Sequence, residues 1–208
     1  MKLNVFFLLS IVLLFCGCKK GAGTFTIKGN ITDETFNMGL SGATIELYKV
    51  PVASNNEILV DALTLGNEGG YQFTFAREQV EKYIIRVNKN LYLPLESIVY
   101  YSSLSVESDN IRNYGTTAKS WVELRFLNTS PSPADQLRYI KQSGLTGCME
   151  CCPTVEQNYY GSLDTSIYCI NKGNTLYSIY YWVLGTNNQG LLQANTVAFD
   201  TTQIYLSY

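Results

Sequence analysis

Much of the chain repeats with a period of two, and that constrains its fold more than any other feature. In residues 24–32 (TFTIKGNIT), Phe25, Ile27 and Ile31 alternate with Thr24, Thr26, Lys28, Asn30 and Thr32. An extended strand turns successive side chains to opposite faces, so this segment has one apolar and one polar face. Residues 43–50 set Ala43, Ile45 and Leu47 on one side, residues 58–65 form a third run, and Tyr71, Phe73 and Phe75 alternate with Gln72 and Thr74. Asn67-Glu68-Gly69-Gly70 carries glycines that supply the positive φ of a hairpin turn. Residues 83–87 and 98–106 add two more runs. Only residues 77–82 (REQVEK) have a helix-forming composition, and six residues wind a turn or two at most. Short strands at close spacing with turns between them predict an all-β sandwich or barrel.

Four pieces of this half occur in a telling order. Gly29-Asn30-Ile31-Thr32-Asp33 is followed by Leu40-Ser41-Gly42-Ala43-Thr44-Ile45-Glu46-Leu47, then Gly69-Gly70-Tyr71-Gln72-Phe73, then Tyr83-Ile84-Ile85-Arg86-Val87. The series resembles the transthyretin-like sandwich of carboxypeptidase regulatory-like domains, common in surface lipoproteins of the Bacteroides kind. The resemblance covers about a third of the chain and carries a fold signature rather than an active site. It implies a structural or binding module.

The second half restarts the alternation. Residues 108–118 (SDNIRNYGTTA) have the composition of a loop, and in residues 121–127 Val122, Leu124 and Phe126 share a face. The prolines of residues 128–133 (NTSPSP) deny ladder bonds and end that strand. Residues 137–140, 167–170, 176–184 and 196–206 are further strand candidates, while residues 141–166 show no clear period. The expected architecture is two tandem β-sandwiches, transthyretin-like over residues 24–117 and immunoglobulin-like over residues 118–208.

The amino terminus is of another kind. Residues 5–15 (VFFLLSIVLLF) form an apolar run broken only by Ser10. As a helix it spans about 16 Å, half of a ~30 Å hydrocarbon core, which suits an export signal better than a membrane span. Phe15-Cys16-Gly17-Cys18 follows and looks like a bacterial lipoprotein signal, with Gly17 at the small position and Cys18 as the acylated residue. Residues 1–17 are then the signal peptide and residues 18–23 a tether. The expected location is the cell envelope, lipid-anchored to the outer membrane on its periplasmic or surface side. Two or more acyl chains anchor stably, whereas one binds only marginally.

Composition narrows the chemistry. The 208 residues carry 15 Lys and Arg against 17 Asp and Glu, a net charge of −2 without the basic field that nucleic-acid binding needs. With 46% hydrophobic residues there is enough to bury a core. Histidine is absent, which removes the Ser-His, Cys-His and His-metal mechanisms together. No cofactor is expected and no Gly-rich phosphate loop is present.

Four cysteines remain once Cys16 leaves with the signal and Cys18 takes lipid: Cys148, Cys151, Cys152 and Cys169. An even number in an exported chain favours two disulfides. Adjacent Cys151 and Cys152 make a strained pair, so the expected bridges are Cys151–Cys169 and Cys148–Cys152. A zinc ribbon needs two separated Cys-x-x-Cys knuckles and only one is present, and a thioredoxin-like redox pair needs a βαβ setting.

Eight of the 16 tyrosines fall in residues 159–208. Residues 176–184 (LYSIYYWVL) set Tyr180 and Trp182 on one face, with Tyr177, Ile179, Tyr181 and Val183 on the other. An exposed aromatic row stacks on sugar rings; a central strand buried on both faces is the commoner fate of such residues. Carboxylates are scattered; Glu150 and Glu156, near the cysteines, could approach each other as glycosidase acids do, but nothing in their spacing requires it. The sequence therefore reads as a non-enzymatic envelope module for binding, adhesion or scaffolding, with a glycan or another envelope protein as partner. The alternatives are a carbohydrate-active enzyme using a carboxylate pair and a structural subunit assembling through strand edges.

Overall fold

The structure is a computed structural model and describes residues 23–208. The expected lipoprotein signal and residues 18–22 of the tether, with Cys16 and Cys18, lie outside the described residues. Among the described residues no helix is long and apolar enough to cross a membrane.

The first sandwich contains β1 (Thr24–Asp33), β2 (Met38–Gly39), β3 (Thr44–Pro51), β4 (Ile58–Thr64), β5 (Gly70–Ala76), β6 (Val80–Asn88), β7 (Leu95–Tyr100), β8 (Asn110–Ile111) and β9 (Tyr114–Thr116). The alternation in the sequence becomes its burial pattern. Phe25 of β1 pairs with Phe75 of β5, and Ile27 with Phe73. These side chains close on Ile45 and Leu47 of β3 and on Tyr83, Ile85 and Val87 of β6. Each such fully buried side chain contributes roughly 1.5–3 kcal/mol.

Three local readings change. Residues 77–82 form no helix; Val80 starts β6 and is buried, so the apolar core takes the segment into a strand despite its composition. The run at 98–106 stops at Tyr100 and turns through a single 3-10 turn, Tyr101–Ser103. Residues 108–118 hold β8 and β9, which run parallel to β1 with Ile27 opposite Asn110 and Ile31 opposite Tyr114. The chain crosses β1 closely between those two strands. A Cβ on Gly29 would lie 1.9 Å from the Arg112 carbonyl oxygen, so only glycine allows the approach. Gly69, at φ +69°, makes the turn into β5.

The second sandwich contains β10 (Lys119–Leu127), β11 (Gln136–Ser143), β12 (Gln157–Tyr160), β13 (Asp164–Lys172), β14 (Leu176–Val183), β15 (Gln189–Asn195) and β16 (Thr201–Ser207). Its sheets are β13-β10-β16 and β12-β11-β14-β15, against β5-β1-β8/β9 and β4-β3-β6-β7 in the first. With the short β2 set aside, both modules have one strand order. The fourth, first and last strands form one sheet; the third, second, fifth and sixth form the other. Val122, Leu124, Phe126, Leu137, Tyr139, Tyr177 and Ile179 fill the second core.

In each module the first and last strands are parallel, β1 with β8 and β9, and β10 with β16. A chain laid out this way enters at one pole and leaves at the other, so the modules run in series. Thr116 ends beside Asp33, and β10 starts three residues later. The junction is packed as well as bonded. Phe199 stacks on Phe36 at 5.9 Å and lies 5.4 Å from Tyr92. The Tyr92 hydroxyl donates to buried Asp33 at 2.6 Å, the Ala118 N–H donates to Thr35 Oγ1, and the Gly173 N–H donates to the Ala118 carbonyl.

Candidate binding face

β14 separates its side chains as its sequence alternates. Tyr177, Ile179 and Val183 point into the second core, whereas Tyr180 and Trp182 point outward. Tyr180 is 36% exposed and Trp182 is half-buried, so this strand is covered on one face and not on both. The two rings lie 6.1 Å apart at 39°.

The register decides what surrounds them. On β11, Arg138 is opposite Trp182 and Ile140 opposite Tyr180; on β15, Gln189 is opposite Trp182 and Leu191 opposite Tyr180. On β12, Asn158 is opposite Arg138. Tyr180, Trp182, Ile140 and Leu191 thus make an apolar strip on an open sheet, bordered by polar groups. Arg138 donates to Glu156 at 3.2 Å and to Gln136 Oε1 at 3.3 Å, while its buried Nε has no hydrogen-bond partner among the described residues. The face offers ring surfaces for stacking, a guanidinium and two amide side chains, Gln189 and Asn158. Residues 136–143 (QLRYIKQS) already contain Arg138 and Ile140 on the face opposite Leu137 and Tyr139. Only the strand register shows that they border Trp182.

Glu156 is engaged by Arg138, and Glu150 stands exposed on a 3-10 turn, Met149–Cys151.

All four expected cysteines are bridged, in a pairing other than the expected one: Cys148–Cys151 and Cys152–Cys169. The local backbone explains the difference. The 3-10 turn folds Cys151 back to within a Cα separation of 5.2 Å from Cys148. Cys152 follows at φ +59°, which swings the chain over to β13 and leaves 5.3 Å between its Cα and that of Cys169. The bridge from Cys152 ties the segment between β11 and β12 to the opposite sheet. Lys141, buried on β11, completes the fastening. Its ammonium donates to the carbonyls of Leu145 at 2.7 Å, Cys151 at 2.7 Å and Cys152 at 2.8 Å.

No protein-family model matches the chain, and no curated protein matches it in sequence. Solved structures resemble it in coarse outline. A streptococcal ancillary pilin shares 11% identity at a TM-score of 0.38, with 88% of this chain and 62% of the pilin covered. The chain therefore spans less than two thirds of that protein's length. A minor pilin of Streptococcus agalactiae shares 8% identity at a TM-score of 0.36, covering 88% and 94%. A DUF3823 family protein of Parabacteroides merdae shares 11% at a TM-score of 0.34, covering 85% and 98%.

Proposed function

We propose that the chain is a non-enzymatic, lipid-anchored envelope protein whose second module binds a glycan on the outer face of β12-β11-β14-β15. The observation that carries this reading is the aromatic pair Tyr180 and Trp182 on an open sheet beside Arg138. Ring faces stack on sugar rings, and flanking amides and a guanidinium meet their hydroxyls. The series arrangement supports the same role. With Cys18 acylated ahead of β1, the second module stands at the pole away from the anchor, about one ~30 Å strand length further out.

A glycan array probed with residues 23–208 tests the binding. The wild-type chain gives a defined set of positive glycans, and Trp182→Ala loses roughly five- to 150-fold in affinity for them, since an aromatic contact of this kind carries about 1–3 kcal/mol. A silent array defeats the glycan reading. If the silent chain also self-associates, the weight moves to assembly through strand edges. Edge strand β4 favours that second reading, because it leaves Ile58 and Leu59 about half exposed. Cys18→Ser tests the anchor: the full-length variant should leave the membrane fraction, and persistent membrane retention removes the lipid from the account.

A further inference from the structure

The opposite face of the second module carries a separate constellation, on the sheet β13-β10-β16. Its outward side chains form three rows. Trp121 lies between Ile170 and Thr201, Glu123 between Tyr168 and Gln203, and Arg125 between Ser166 and Tyr205. The Glu123 carboxylate sits at the centre. It accepts from the Ser166 hydroxyl at 2.6 Å, the Tyr168 hydroxyl at 3.2 Å and the Gln203 amide at 2.9 Å. Hydrogen bonds from Ser166 and Gln203 hold its pKa below the usual glutamate value, with a smaller contribution from Arg125.

Three neutral donors fix the carboxylate in place without cancelling its charge. Among the described residues no Lys or Arg forms an ion pair with Glu123, and the Arg125 guanidinium is taken up by Asp164. A carboxylate has about four lone-pair sites, and here three are occupied, leaving room for one further donor. Aromatic side chains stand around it, with Tyr168 61% and Tyr205 49% exposed. A carboxylate without an ion-pair partner, beside exposed tyrosines, has the electrostatics of a cation site, to which the rings can add cation–π attraction. The breadth of the face indicates what carries the cation. A lysine side chain brings one ammonium on an apolar stem, which does not use the remaining lone pairs of Ser166, the Gln203 carbonyl oxygen or the Thr201 hydroxyl. A sugar ring brings hydroxyls to meet them.

We infer that the outer face of β13-β10-β16 binds a saccharide bearing a protonated amine, with the ammonium on Glu123 and the ring against Tyr168. This site is independent of the one on β14, because the two lie on opposite sides of the sandwich.

The test uses residues 23–208, within which both modules close their cores, and titrates it with a glucosamine oligosaccharide and its N-acetylated counterpart. The measurement is made by calorimetry at a mildly acidic pH, where the amine is charged and Glu123 remains ionised. The expected result is binding of the amine form, at least tenfold stronger than of the acetylated form. Glu123→Gln is expected to abolish that difference. Tyr168→Phe keeps the ring and should cost only a few-fold, whereas Tyr168→Ala should cost about as much as Glu123→Gln. Trp182→Ala should leave amine binding unchanged. Circular dichroism of each variant confirms that the sheet persists, as expected for exposed positions. Equal affinity for the two oligosaccharides, no binding of either, or full binding by Glu123→Gln overturns the inference. Loss on Trp182→Ala alone assigns the ligand to the β14 face instead.

Discussion

Replacing Cys152 and Cys169 together by serine should lower the unfolding free energy of the second module by about 3 kcal/mol, the entropy that a cross-link of this span removes from the unfolded chain. The bridge spans 17 residues and joins the segment after β11 to β13 in the opposite sheet. Breaking it also frees a loop that crosses between the two sheets. Cys169 is fully buried opposite Val122, so the serine hydroxyl is an added burden. Cys148→Ser with Cys151→Ser should cost distinctly less, because that bridge spans only three residues. The two tryptophans, Trp121 and Trp182, both lie in the second module. Denaturant unfolding followed by tryptophan fluorescence therefore reports that module alone. Equal destabilisation by the two double variants would refute the assignment of the principal staple to Cys152–Cys169.

The same two bridges show where sequence reasoning stopped. That four cysteines pair was readable from their even number and from the expectation that the chain is exported. Which ones pair depends on a positive φ at Cys152 and on a single 3-10 turn, neither of which spacing encodes. Long strands were readable because six or more alternating residues average out exceptions, as in β1, β5 and β10. β8 and β9 have two and three residues, too few to display a period, and they are recognised only by their pairing with β1. β15 escaped for a different reason. Its inward positions are Gly190, Leu192 and Ala194 and its outward ones include Leu191, so the contrast between its faces is weak.

The candidate face divides in the same way. Tyr180 and Trp182 share a side by simple alternation. Arg138, Ile140 and Leu191 join them through strand register, which is a long-range property. Glu123 lay in view between Val122 and Leu124, yet its significance rests on the partners that β13 and β16 bring to it. The shared strand order of the two modules was equally hidden, since it appears only when sheets are traced.

Lys141→Met, on β11, should be the single substitution most damaging to the loop between β11 and β12 that it fastens, again by about 3 kcal/mol. Two effects oppose each other. Removing a buried ammonium relieves a desolvation penalty, and methionine fills much of the same volume. Against this, all three ammonium protons are matched to carbonyls of Leu145, Cys151 and Cys152 at 2.7–2.8 Å. A thioether donates nothing, so three carbonyls lose their partner, at about 1–3 kcal/mol for each that water cannot reach. The carbonyl losses outweigh the relief. Burial draws the Lys141 pKa below that of a free lysine. Between the folded and unfolded values the unfolded chain then holds more protons, so this group's contribution to stability rises with pH. The margin of the wild-type chain over Lys141→Met should accordingly widen as the solution is taken from neutral to about pH 10. The loop should also become cleavable by proteases near residues 144–156 while both disulfides remain intact. A Lys141→Met chain as stable as wild type would mean that this side chain is not what holds the loop down, and a margin that narrows with rising pH would mean that the fold favours the protonated amine, against the lowered pKa.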